Sequence, residues 1–203
     1  MQKVNYNGRE ITPSKVICVG RNYVEHIEEL GNELPSSMVL FNKPNSAISN
    51  RVKYYGEHTR FEGEISFLIR SGEIVGVGFG LDLTHADIQN YLKSRGLPWE
   101  RAKAFNGSAI FSNFVPFNIR DIESLKMRLY RNNSIVQFAN YELMIYKPQE
   151  IIDEIESFMR VEDGDIIMTG TPKGVSNYSK GDIFVGEILS NDKLLIKVEW
   201  VVD

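Results

Sequence analysis

Sulfur chemistry and long apolar runs are both scarce in this chain. One cysteine among 203 residues, Cys18, excludes an intramolecular disulfide. It lies in "KVICVG", an apolar strand-like run, and reads as a buried small hydrophobe. No apolar stretch approaches the roughly 18 residues of a membrane span. The N-terminal "MQKVNYNGRE" has no signal-peptide h-region. Lysines and arginines are scattered, no basic run appears, and the net charge is −4, which argues against a nucleic-acid surface. The expectation is a soluble cytoplasmic protein with neither a nucleic-acid nor a membrane partner. Repeats, low-complexity tracts and Pro/Gly/Ser linkers are also missing. At 42% hydrophobic content the length suits one domain with a substantial core. Residues 1–203 are read as that domain, with 1–13 an N-terminal extension or an edge strand.

Strand signals outnumber helix signals. "KVICVG" precedes "RNYVEHIEEL", where Tyr23, Ile27 and Leu30 recur at helical spacing and Gly31 stops the helix. "EISFLI" and "EIVGVGFGLDL" are two strands joined by a turn at Ser71 and Gly72. "THADIQNYLKSRG" reads as a helix with Thr84 and Asp87 as a capping box and Gly96 as its C-terminal cap. "KPQEIIDEIESFM" is a second amphipathic helix, with Pro148 in its first turn and Ile151, Ile152, Ile155, Phe158 and Met159 on one face. "EDGDIIMTGTPKG" follows as turn, strand and Gly-rich loop. The tail is a hairpin turning near Asn191 and Asp192. The fold class expected is α+β, mainly β, with helices on the outside.

"RFEGEISFLIR" raises an electrostatic question. On a strand, Glu62, Glu64 and Ser66 share one face while Phe61, Ile65, Phe67 and Ile69 share the other. Neighbouring like charges repel, so the first face is either solvated, with water screening the charges, or holds a divalent cation. Asp82, between an apolar Gly-containing run and a helix, is either an N-cap or a third ligand. Three carboxylates with no clustered His or Cys describe a hard site for Mg²⁺, Mn²⁺ or Ca²⁺. His26 and Glu29, three apart on a helix, are a surface pair or an oriented general base. Lys103, flanked by Ala102, Ala104 and Phe105, snorkels at the surface or reaches a polar site. "TGTPKG" lacks the phosphate-loop pattern; it is an ordinary turn or a source of donors for a small carboxylate.

Taken in order, "VICVGRNYVEH", "LFNKP", "EGE", "GLDLTHADIQ", "GLPWERAKAF" and "EDGDIIMTGTPKGV" resemble the fumarylacetoacetate hydrolase family over roughly residues 14 to 200. The closest likeness is to its short branch of acylpyruvate hydrolases and oxaloacetate decarboxylases. The resemblance implies a mixed β-roll forming a single catalytic domain, usually a homodimer. It implies Glu62, Glu64 and Asp82 as Mg²⁺ or Mn²⁺ ligands, His26 and Glu29 as the water-activating pair, and Lys103 facing a developing enolate or oxyanion. Arg21, Tyr23, Lys43, Gln89 and Thr171 match positions around the carboxylate and oxo groups of a small 2-oxo acid. The activity expected is hydrolysis of an acylpyruvate-like 1,3-diketo acid. The alternatives are oxaloacetate decarboxylation or tautomerisation, a 2-hydroxydienoate isomerase or hydratase, and a non-catalytic metal-binding protein.

Overall fold

The structure is a computed structural model, and it describes residues 1–29 and 36–203. In chain order the strands are β1 (Val4–Tyr6), β2 (Arg9–Ile11), β3 (Lys15–Gly20), β4 (Val39–Pro44), β5 (Ile48–Ser49), β6 (Thr59–Arg70), β7 (Glu73–His85), β8 (Ala109–Phe111), β9 (Val115–Pro116), β10 (Lys126–Arg131), β11 (Ser134–Asn140), β12 (Ile166–Met168), β13 (Ser176–Asn177), β14 (Ile183–Ser190) and β15 (Lys193–Val201). The helices are α1 (Val24–Glu29), α2 (Ala86–Ser94), α3 (Glu100–Lys103) and α4 (Pro148–Glu156). None of the described helices is long and apolar enough to cross a membrane.

The large sheet runs β4-β3-β12-β6-β7-β8-β5, with β13 beside β6 and β9 beside β7. A four-stranded antiparallel sheet, β11-β10-β14-β15, packs over it. Residues 1–13, read as an N-terminal extension or an edge strand, bond to Phe114 through Asn5 and Asn7. They make the β1–β2 hairpin, turning at Asn7 and Gly8, whose φ angles of 50° and 79° suit that dipeptide.

The long β6–β7 hairpin carries the two-residue period of a strand into the core. Phe61, Ile65, Phe67, Phe79, Leu81 and Leu83 are buried in a cluster with Leu129, Phe184 and Trp200 of the second sheet. Each of these large side chains contributes about 1.5–3 kcal/mol of burial. The opposite face of the large sheet carries a smaller cluster of Val16, Cys18, Leu68, Phe111 and Met168. Cys18 is buried there as a free thiol, as expected.

Several helix details depart from the sequence reading. Thr84 lies in β7, not in a capping box; His85 is the N-cap of α2 and makes no side-chain cap bond. Gly96 does end α2: it is left-handed at φ 64°, with Gly96 N–H donating to Lys93 O and Leu97 N–H to Leu92 O. Pro148, Ile151, Ile152 and Ile155 of α4 are buried, whereas Phe158 lies past the helix end and is exposed. Leu30 and Gly31, read as the end of α1, lie outside the described residues.

Candidate metal centre and substrate cleft

The antiparallel register of β6 and β7 places Glu62 directly opposite Asp82 and Glu64 opposite Gly80. Directly opposed residues share a sheet face, so the register puts the three carboxylates together. Each offers an oxygen within 4.8 Å of the others. Glu64 and Asp82 are buried and Glu62 is half-buried.

Two lysines hold this acidic group. Lys103 Nζ lies 2.8 Å from Glu62 Oε2 and 2.7 Å from Asp82 Oδ2, and it donates to Thr84 Oγ1 at 2.6 Å. The Thr84 hydroxyl in turn donates to Glu62 Oε1 at 2.6 Å. The short helix α3, capped by Trp99, delivers Lys103, whose ammonium also sits 5.2 Å over the Phe41 ring. Lys43 is fully buried behind the site, where its Nζ pairs with Asp82 Oδ1 at 2.7 Å without hydrogen-bond alignment. It also donates to the Lys103 carbonyl and to Ser108 O and Oγ.

These contacts set the charges. Burial alone would raise the Glu62 pKa, but Lys103, His26 and the Thr84 hydrogen bond bring it below the usual carboxylate range. Glu64 goes the other way. Burial, then the charges of Asp82 and Glu62, push its pKa well up, against weaker help from Lys103 and the Gly170 N–H. Burial would lower the Lys103 pKa, and the paired Asp82 and Glu62 raise it instead.

The loop after β12 supplies backbone donors. Gly170, at φ 95°, donates its N–H to Glu64 Oε2 at 2.7 Å. A Cβ there would fall 2.8 Å from Asn22 Cβ, so only glycine brings this N–H to the carboxylate. Gly174 N–H lies 3.1 Å from both oxygens of Glu29, and Glu29 Oε2 lies 3.4 Å from His26 Nδ1. Thr171 lines the cleft, but its hydroxyl donates to Gly63 O at 3.0 Å and accepts from Gln137 at 2.8 Å.

A narrow cleft opens onto these groups; Arg21, His26, Glu62, Asp82, Gln89, Lys103 and Thr171 line it. Two expected substrate residues stand apart. Lys43 braces Asp82 from behind, and Tyr23 is buried, its pKa pushed up by burial and by Glu64. Thr84, Lys93, Trp99 and Phe41 line or brace the site but were not singled out as site residues by the sequence. Thr84 and Lys93 could have been found as residues two beyond Asp82 and four beyond Gln89, on the same faces.

Residues 15–197 match the model of the fumarylacetoacetate (FAA) hydrolase C-terminal family. The chain belongs to the fumarylacetoacetate hydrolase family. Within this family it is 34% identical over 201 residues to the mitochondrial oxaloacetate tautomerase FAHD1 of Bos taurus, covering 91% of each chain. It is 35% identical to the oxaloacetate tautomerase YcgM of Escherichia coli (strain K12), covering 83% of this chain and 85% of that one. A putative fumarylacetoacetate isomerase/hydrolase from Oleispira antarctica matches in structure with a TM-score of 0.93 at 33% identity, covering both chains fully. The mainly β architecture with peripheral helices is the family's fold. The names of the two curated relatives point away from the expected hydrolysis and towards the non-hydrolytic alternative.

The donor set fits a divalent cation. Three hard carboxylates converge on one sheet face, three formal negative charges against the two positive charges of Lys43 and Lys103.

Proposed function

We propose that this chain is a divalent-metal-dependent enzyme that interconverts the keto and enol forms of oxaloacetate. The observation that carries the reading is a base, a lysine and an acidic cluster lining one small cleft: His26, Lys103, Glu62 and Asp82. The names of the two curated relatives support the choice of oxaloacetate. Glu62, Glu64 and Asp82 would hold the Mg²⁺ or Mn²⁺ ion. When bound, the ion supplies Lewis-acid polarisation of the substrate's oxo group.

The chain's own residues handle the proton. Glu29, fixed by the Gly174 N–H, accepts from His26 Nδ1 and leaves Nε2 as the basic nitrogen. His26 takes a proton from C3 of the keto acid, and that electron pair forms the C2=C3 bond as charge moves to the C2 oxygen. Lys103, buried between Glu62 and Asp82, places a fixed positive charge beside that oxygen. Return of the proton from His26 to the oxygen completes the enol, and the reverse sequence restores the keto form.

The same His26–Glu29 pair acting on water is the arrangement needed for acylpyruvate hydrolysis, which gives a second reading. A panel separates them: oxaloacetate tautomerisation, oxaloacetate decarboxylation and acetylpyruvate cleavage, each with Mg²⁺, Mn²⁺ or chelator. The proposal expects tautomerisation to dominate and to vanish with chelator. Faster acetylpyruvate cleavage would favour the hydrolase. The homodimer implied by the family resemblance is part of this reading, and light scattering should give twice the 23.2 kDa chain mass.

A further inference from the structure

Strand β11 belongs to the second sheet and lies outside the described lining of the cleft. Its two-residue period turns Gln137 and Ala139 inward, and both are buried. An amide at a core position costs free energy unless its polar atoms find partners. Gln137 directs its amide at the metal strand and at the loop beside it. Its Oε1 accepts from Gly63 N–H at 2.8 Å, and its Nε2 donates to Thr171 Oγ1 at 2.8 Å and to Pro172 O at 3.0 Å. These partners fix the amide's orientation, since Gly63 N–H needs an acceptor and Pro172 O needs a donor.

The contact closes a gap in the large sheet. Along one edge of β6, Ser66, Phe67 and Leu68 pair with β12, while Arg60 and Phe61 pair with β13. Between them the loop 169–175 replaces a strand, alongside the stretch that carries Glu62 and Glu64. Gly63 leaves room for the amide: a Cβ there would lie 3.0 Å from both Gln137 Oε1 and Leu129 Cδ2. Gly174 is seated against the same part of β11, where a Cβ would collide with Val136 O. The loop held in this way gives Gly170 N–H to Glu64 and Gly174 N–H to Glu29, the partner of His26. One buried side chain thus braces both the strand between two carboxylates and the loop that orients the base.

We infer that Gln137 is a positioning residue that keeps the acidic cluster and the His26–Glu29 pair in register with each other. It acts through Gly63 and the 170–174 loop, not on the reacting atoms. The inference deepens the proposed function and rests on it for the role of His26 as the base.

Gln137→Met keeps a side chain of similar length and removes these hydrogen bonds. Two readouts besides turnover separate positioning from stability. Calorimetry on the full chain should show Mg²⁺ binding weakened by about tenfold or more, the scale of losing an outer contact to a metal ligand. Nitrogen-15 shifts of the three histidines, taken at about pH 8.5 where imidazoles are neutral, should show His26 as the Nδ1–H tautomer in the wild type and as a mixture in the variant. Asn132→Gly is the stability control. It removes hydrogen bonds to Asp182 and Ile183 at the β10–β11 turn of the same sheet and should leave both readouts unchanged. Gln137→Glu, isosteric and still an acceptor for Gly63 N–H, serves where the Met variant does not fold; without the Nε2 donor it should also lose the Nδ1–H preference. Unchanged Mg²⁺ affinity in folded Gln137→Met, an unchanged tautomer in either variant, or equal losses in Asn132→Gly would overturn the role. If the wild type does not turn over oxaloacetate, the tautomerase reading fails, while Mg²⁺ affinity and the His26 tautomer still decide the role of Gln137.

Discussion

Glu64 is where stability and function pull apart. Its carboxylate is buried against two others, and its pKa is raised, so the fold favours its neutral form. A group with a raised folded pKa gives its full stability below the unfolded value and loses it as pH rises through the folded one. The metal-free protein should therefore lose stability as pH climbs above the ordinary glutamate range. Glu64→Gln should flatten that slope and raise the chelated protein's Tm at pH 8, while weakening Mg²⁺ binding by more than about a hundredfold. Thermal melts across pH with chelator, paired with Mg²⁺ calorimetry, check both halves. A lower Tm for the variant would contradict the electrostatic account. Much of this site was readable from single residues. The Glu-x-Glu spacing put two carboxylates on one face, and the motif order around Asp82 and Lys103 completed the set. Thr84 was misread because its partner Glu62 comes from a strand twenty-odd residues earlier, a contact that only the β6–β7 register creates. The pairing of Lys43 with Asp82 was not legible for a related reason: burial behind Asp82 is a property of packing, not of the "LFNKP" motif.

At the scale of elements, Asp165 ties the start of β12 to the start of β3. It accepts from Ser14 N–H and Oγ, Lys15 N–H, Lys15 Nζ at 2.5 Å and Glu162 N–H. Burial would raise its pKa; the bonds from Lys15, Ser14 and Glu162 lower it below the usual range. Its contribution is present above the unfolded pKa of about 3.9 and lost as pH falls through the folded value. Asp165→Ala should cost about 3 kcal/mol by denaturant melt at pH 7, with a smaller difference near pH 3. An equal loss at both pH values would contradict this. Gly170→Ala is expected to be costly twice over, since φ 95° strains any side chain and its N–H is the donor to Glu64. Loss of about 1–3 kcal/mol with weakened Mg²⁺ binding is the expected pair of results. Strands and turns were legible because period-two burial and the Ser71-Gly72 and Asn191-Asp192 signals are local, with left-handed φ angles at all four residues. The end of α4 was not: periodicity continues through Phe158, but the chain turns after Glu156 and leaves that ring in solvent.

For the whole molecule, metal binding should act as a folding ligand. At a hundred times its Kd a divalent ion adds about 2.7 kcal/mol. For a chain of this size that is roughly a 5–11 °C rise in Tm. Scanning calorimetry with Mg²⁺, Mn²⁺ and chelator checks it, and Glu64→Gln should show no such rise. The two-sheet core lies on the far side of β6 and β7 from the carboxylates. Site and core therefore share a hairpin but not a face, which lets the acidic cluster exist without charges in the main core.

The central claim is that the cleft enolises oxaloacetate with a metal held by the three carboxylates and with His26 as the base. Its most direct measurement is stopped-flow decay of the enol absorbance of oxaloacetate at fixed Mg²⁺. Wild-type protein should accelerate the decay well above the Mg²⁺-only rate. Chelator should abolish the acceleration, and His26→Ala should lower it by about 10²–10⁴-fold. A decay rate for the Mg²⁺-loaded wild type equal to that of Mg²⁺ in buffer would contradict the account.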